Sequence, residues 1–297
     1  KIGCLSSGER ATEREKARAV KELRQTYQLK TLLKISALAR STFYYHLKES
    51  RTDKYREAKE AITEVFTENG GRYDYRRITD ELHAKGIKLN HKTVLKLMRS
   101  LNIHGKMRKN GQYHSYKGEV GKVADDLLKR DFNAAEPFEK LATDVTQFKV
   151  KDTRIYLSPI MDLYNNEIVA YSISLHPDLA QTREMLEELS KRLPKRARPI
   201  LHSDQGWQYQ HAMYQRYLEE HQITQSMSRK GNCMDNGAME CFFGRLKVEM
   251  YYGEKFESAE DFIEKLHKYI YYWNNKRISR KLKAMSPVGY RTHCQTI

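Results

Sequence analysis

The sequence predicts an α/β protein in which a mixed core follows all-α units. Three observations predict it. Helix-forming segments punctuated by caps and turns fill the first 103 residues, apolar residues fall into strand-like runs after residue 140, and the charge changes between the two halves. Of the 54 Lys/Arg and 38 Asp/Glu, residues 1–130 hold 30 and 16, whereas residues 131–297 hold 24 and 22. An excess confined to one half implies a polyanion-binding module joined to a nearly neutral one, because charge serving only solubility is spread more evenly. A length of 297 residues accommodates two or three domains with a sizeable core.

Residues 9–27 lack Gly and Pro and are rich in good helix formers, so a charged helix is expected. Leu32, Leu33, Ile35, Leu38 and Ala39 then give a short apolar face, and Ser41-Thr42 offers an N-cap to a helix carrying Phe43, Tyr44 and Leu47. Residues 1–50 thus read as a helical region with a first helix-turn-helix. Residues 54–68 are amphipathic and are stopped by Asn69-Gly70-Gly71. After Arg76 and Arg77, a helix runs through Leu82, Gly86 turns the chain, and Asn90 caps a helix carrying Val94, Leu95, Leu97 and Met98. His91, Lys92, Lys96 and Arg99 occupy the remaining surface of that helix, a basic face suited to DNA phosphates. Residues 51–103 therefore read as a second helix-turn-helix domain. Residues 104–135, with Lys106, Arg108 and Lys109, read as a basic linker, and 136–297 as the core with a C-terminal helical extension.

Within the core, strands are expected at Leu141–Val150, Ile155–Leu163, Ile168–Leu175 and Ile200–Leu201, and helices at 179–193, 211–221, 237–250 and 258–275. The four cysteines, Cys4, Cys233, Cys241 and Cys294, form no CxxC pair and have no His at zinc-ligand spacing, so free thiols in a reducing compartment are expected. No apolar run approaches the roughly 20 residues of a membrane span, and no signal-peptide pattern opens the chain. A soluble cytoplasmic protein with no membrane partner is expected.

Three carboxylates stand where this pattern brings them together. Asp144 lies in TDVTQF within the first strand, Asp204 follows the apolar strand end of RPILHSDQG, and Glu240 sits on the helix DNGAMECFFGRLKVEM after a gap of 35 residues. Clustered carboxylates repel one another unless a cation neutralises them, and hard oxygens select Mg²⁺ or Mn²⁺. Two such ions about 4 Å apart activate a water or a 3′-hydroxyl and stabilise the leaving oxygen of a phosphodiester. Any one of the three, taken singly among 38 acids, reads as an ordinary surface residue. Lys247 stands on the face of Glu240 and Gly244, at i+7, within reach of a phosphate. For His202 and Gln205, substrate contact stands as one reading, with a satisfied core histidine as the other for His202. Asp235 and Asn236 read as caps of the Glu240 helix. Glu249, nine residues beyond Glu240, falls half a turn away and reads as a carboxylate without a role in the site. Trp273 and Tyr271 read as core or DNA-packing residues.

The words around the carboxylates resemble the D-D-E transposases, and closely the IS3 family of bacterial insertion sequences. TDVTQF, HSDQGWQY and SRKGNCMDNGAMECFFGRLKVE carry the resemblance, with YYWNNKRISRKLKAMSPVGYR and GRYDYRRITDELHAKG in support. It implies a ribonuclease-H-like core with Asp144, Asp204 and Glu240 as catalytic residues and ligands of two Mg²⁺ ions, Mn²⁺ being able to substitute. It further implies nicking and strand transfer at terminal inverted repeats, insertion into target DNA, at least a dimer on paired ends, and action at the bacterial nucleoid. Because members are usually fusions with an upstream segment, the Lys1 start reads as a chain lacking part of it. Two rivals remain in view: a transcriptional regulator using tandem helix-turn-helix units, and a ribonuclease H or structure-specific nuclease on the same core.

Overall fold

The computed structural model describes residues 11–47, 53–106, 123–229 and 233–295. The chain divides into two compact units, Lys1–Ala61 and Ile62–Ile297.

In the first unit, α1 (Glu13–Leu23) opens with a capping box between Thr12 and Glu15. It is followed by α2 (Leu29–Ile35) and α3 (Arg40–Leu47). Ala17, Val20, Leu32, Leu33, Leu38 and Phe43 form the core. Two details differ from the sequence reading. Ile35 is 65% exposed and stands outside the core that Leu32, Leu33 and Leu38 join. Ser41 and Thr42 lie inside the first turn of α3, which begins at Arg40, and so do not cap it.

The boundary between units falls within α4 (Arg56–Glu68). Gly70 and Gly71 follow α4 at φ +59° and +71°, the left-handed region that releases the chain from a helix. Asp74 caps α5 (Tyr75–Ala84) through the Arg77 amide, and Asn90 caps α6 (His91–Ser100) through that of Lys92. Between them Gly86 takes φ +83°. Ile78, Leu82, Val94, Leu97 and Met98 are buried, which leaves the charged residues of α6 outside.

The sheet comprises β1 (Lys140–Thr143), β2 (Thr146–Val150), β3 (Thr153–Asp162), β4 (Glu167–Ser174), β5 (Ile200–Ser203) and β6 (Thr224–Met227). Its order is β4–β3–β1–β5–β6, with β2 pairing to β3 further along. The β4–β3–β1 and β3–β2 pairings are antiparallel; β1–β5 and β5–β6 are parallel. The single strand expected over Leu141–Val150 is thus broken in two. Thr143 pairs with Ile160 and Thr146 with Leu157, so the unbroken register sets Pro159 opposite Asp144. Proline has no N–H to donate, and the ladder opens there. β6 escaped the sequence reading because TQSM offers no apolar run.

Around the sheet lie α7 (Leu179–Arg192), α8 (Trp207–Gln210), α9 (Ala212–Glu220), α10 (Gly237–Leu246), α11 (Ala259–Asn275) and α12 (Pro287–Gln295). A π-helical turn, Lys247–Tyr251, prolongs α10. Leu141, Ile160, Val169, Met185, Leu189 and Leu201 belong to the main core between sheet and helices. Asn274 on α11 accepts from the Ile168 amide and donates to its carbonyl, both at 2.9 Å, so a side-chain amide stands in for a neighbouring strand beside β4. No described helix is long and apolar enough to cross a membrane.

Candidate active site

β1 and β5 are parallel neighbours, and their register sets Ala142 beside His202. Two residues on, Asp144 and Asp204 leave the carboxyl ends of the strands side by side, about 5 Å apart at the backbone by ordinary strand spacing. The carboxyl edge of parallel strands is where α/β sheets bind ligands. Asp144 is half-buried, and its Oδ1 accepts the Val145 amide at 2.7 Å. Asp204 accepts the Gly206 amide at 2.9 Å. Burial raises the Asp144 pKa well above the usual aspartate range, the Asp204 and Glu240 charges add to this, and the Val145 amide and Lys247 oppose it. Burial likewise raises Asp204.

Glu240 lies in the first turn of α10. Met239, Phe242, Phe243 and Leu246 bury the helix's apolar face, and Asn236 hooks its N-terminus to the sheet: Asn236 Nδ2 donates to the Thr143 carbonyl at 3.2 Å, one residue before Asp144. Lys247 is half-buried, with its ammonium 5.7 Å from the Phe148 ring centre and in electrostatic range of Asp144. The structure therefore brings Asp144, Asp204, Glu240 and Lys247 into one field. Among the described residues no three His, Cys, Asp or Glu side chains already converge on a single point. The donor set available to a cation is all carboxylate oxygen, which fits a hard divalent ion.

One open reading is decided, one expectation changes, and one carboxylate acquires a surrounding the sequence did not supply. His202 is fully buried between strands, its Nδ1 2.8 Å from Ser226 Oγ, and burial lowers its pKa, so it is a neutral core residue. Asp235 does not cap α10; Arg229 at 2.9 Å and Arg130 at 2.8 Å hold its buried carboxyl far below the usual range, and the side chain of Asn236 bonds to β1 instead. Glu249 does not face solvent. The side of α10 turned away from Asp144 is covered by α11, and Glu249 is buried there in an ion pair with Arg277 at 2.7 Å. Apart from Arg229, six residues before Asp235, these partners lie 24 to 105 residues away in sequence, where no helical or strand periodicity could link them. Trp207, 56% exposed at the start of α8 and three residues beyond Asp204, also went unremarked.

Residues 134–233 and 240–294 match integrase core domain models, and 54–111 match an HTH-like domain. Over 275 residues the chain is 48% identical to the putative transposase InsK for insertion sequence element IS150 of Escherichia coli K12, covering 92% of this chain and 97% of that one. It is 33% identical to the transposase InsF for insertion sequence IS3A of the same organism, covering 79% and 83%. The chain belongs to the IS3 family of insertion-sequence transposases. A solved structure of the HTLV-2 integrase catalytic core domain in complex with magnesium is also similar, with a TM-score of 0.41, 13% identity and coverage of 53% and 98%.

The transposase's basic residues fall into two groups. His91, Lys92, Lys96 and Arg99 are exposed on α6, as is Arg76 on α5, where it stacks on Tyr75. Arg77 and Lys106 instead face inward. The Arg77 guanidinium lies 5.5 Å from the Tyr73 ring centre within the field of Glu249, and Lys106 bonds to the Glu249 carbonyl at 3.3 Å and the Glu254 carboxylate at 2.7 Å. Arg108 and Lys109 lie outside the described residues. Cys241 and Cys294 are free thiols. Trp273 is a core residue, donating to the Asn166 carbonyl at 2.9 Å, whereas Tyr271 is 60% exposed.

Proposed function

We propose that this transposase is a divalent-cation-dependent polynucleotidyl transferase that nicks DNA at the terminal inverted repeats of its element and joins the freed ends to target DNA at the bacterial nucleoid. Asp144, Asp204 and Glu240 are the catalytic residues and the ligands of two Mg²⁺ ions, for which Mn²⁺ can substitute. The observation that carries this reading is the Asp144–Asp204 pair at the carboxyl edge of β1 and β5, facing Glu240 and Lys247. Burial opposes the ionisation of Asp144 and Asp204, and the Asp204 and Glu240 charges further oppose that of Asp144; a bound cation would offset both while supplying Lewis acidity to attacking and leaving oxygens. Asp144 and Asp204 follow directly on the ends of β1 and β5, so they would set the position of the scissile phosphate. Glu240 approaches from α10, and the Lys247 ammonium offsets phosphate charge beside them. The α6 face of His91, Lys92, Lys96 and Arg99 would grip the DNA backbone, with Arg76 beside it. Functional boundaries at 51–103, 104–135 and 136–297 accompany this reading, as does assembly of at least two protomers on paired ends.

The test uses purified protein, labelled element-end DNA and Mg²⁺. Nicked and joined products are expected from the wild type. Asp144→Asn, Asp204→Asn and Glu240→Gln should each bind the DNA and yield neither product, and combining them should add little. Near-normal turnover by any of the three would sink the assignment. Binding without cleavage by the wild type would favour the regulator instead.

A further inference from the structure

Glu249 and Arg277 form the most deeply buried ion pair among the described residues, each side chain 5% exposed. Arg277 Nε lies 3.2 and 3.0 Å from the two carboxylate oxygens and Nη2 2.7 Å from Oε1. Tyr269 donates to Oε2 at 2.9 Å, and the guanidinium stacks 4.5 Å from the Trp273 ring centre. Burying two charges costs desolvation that their attraction barely offsets, so such a pair is poor evidence of a stabilising role and better evidence of a fixed geometry.

What it fixes is the π-helical turn. Tyr252 N donates to Lys247 O at 2.7 Å, closing the turn, and Glu249 sits in its middle. Lys247, at its first residue, lies with its ammonium 5.7 Å from the Phe148 ring centre and in electrostatic range of Asp144. The same peptide is gripped from the α5–α6 side. Arg72 Nε and Lys106 Nζ donate to the Glu249 carbonyl at 3.4 and 3.3 Å. The Tyr73 hydroxyl donates to Lys276 O at 3.3 Å and accepts from Ile278 N at 3.0 Å, which clamps the residues on either side of Arg277. Arg72 also stacks 4.5 Å from the Tyr272 ring centre. Both members of the pair are thus braced by the helical unit that presents the basic α6 face.

We propose that Glu249 is a positioning residue whose ion pair holds the turn that aims Lys247 at Asp144, and that the α5–α6 unit acts on the active site by bracing that turn. The proposal rests on the assignment of Asp144, Asp204 and Glu240 above. A shift of about 1 Å at a group beside the reacting atoms costs about 100-fold in rate, so the expected effect falls on turnover rather than on DNA affinity.

Two variants test it in the full-length protein. Glu249→Leu/Arg277→Met removes both charges of the pair, so that neither is left without the other; Arg72→Ala with Lys106→Ala removes only the brace. Each is assayed for melting temperature, element-end DNA affinity, and KM and kcat for cleavage, alone and with Lys247→Ala. The expected result is a kcat loss of about 10- to 100-fold for the first and a smaller loss for the second, with KM and affinity within about twofold. In the Lys247→Ala background neither should lose further activity, because the group they position is gone. Losses that multiply with Lys247→Ala, that appear in KM alone, or that disappear on cooling below the melting transition would overturn the proposal. If the first variant does not fold, the second decides by the same criteria. Asp144→Asn is run alongside: its retaining activity would sink the site assignment, whereas its inactivity with a multiplicative cycle would sink this proposal alone.

Discussion

Replacing Asp144 by its amide removes a charge from a place where burial and two neighbouring carboxylates already oppose it. In a chelator, Asp144→Asn should therefore melt at or above the wild-type temperature. Added Mg²⁺ should raise the melting temperature of the wild type and leave the variant nearly unmoved, since on the proposed assignment only the native site would bind the ion. Equal Mg²⁺ stabilisation of both proteins in a thermal-shift titration would remove Asp144 from the ligand set. Glu249 behaves oppositely. Glu249→Gln leaves Arg277 charged and buried against an amide, a change that costs about 3–5 kcal/mol in comparable pairs, so it cannot serve as an inert comparison. Glu220, exposed at the end of α9, can: Glu220→Gln should retain full cleavage and stability.

Two elements carry predictions of their own. Asp162 closes β3, almost fully buried, where its oxygens accept the Phe138 and Tyr164 amides at 2.9 and 3.0 Å. Burial nevertheless raises its pKa from 3.8 to about 6. The folded carboxyl holds its proton more tightly than the unfolded one, so this group's contribution is full below the unfolded value and is lost as pH rises through 6. The loss is on the order of 3 kcal/mol. Urea unfolding at pH 4 and pH 7 should show Asp162→Asn gaining on the wild type at the higher pH; a difference independent of pH would contradict the shift. On α6, Lys96→Ala and Arg99→Ala should each weaken DNA binding for every sequence tested and reduce the slope of log K against log salt by about 1. An unchanged slope would take these residues off the phosphate backbone.

At the scale of the molecule, the proposed reaction would have each active site treat one DNA end at a time while the assembly holds two. Light scattering on the complex with paired ends should find at least two protomers; one protomer on two ends would exclude the arrangement. Charge asymmetry alone makes residues 1–130 look separable as a DNA-binding fragment. The structure argues against cutting there: Arg72, Tyr73 and Lys106 are held by Glu249, Tyr272 and the peptides flanking Arg277. The fragment would expose that surface, and its affinity would report on a damaged unit.

What the sequence determined by itself was local or carried by short words. Cap chemistry marked Asn90, glycine marked the turn at Gly86, apolar runs marked β3, β4 and β5, and three motifs with a 35-residue gap marked Asp144, Asp204 and Glu240 as one set. The caps, turns and strands are legible because backbone hydrogen bonding and side-chain periodicity act over a few residues; the carboxylates read as a set through the resemblance of the words around them. The tertiary structure alone decided the rest. The break between β1 and β2 depends on Pro159, fifteen residues away on another strand. The bond from Arg130 to Asp235, the pairing of Glu249 with Arg277, and the placing of Arg77 and Lys106 against Glu249 depend on partners distant in sequence. A charged residue carries the same letter whether water or an opposite charge surrounds it, and only packing determines which of the two it meets.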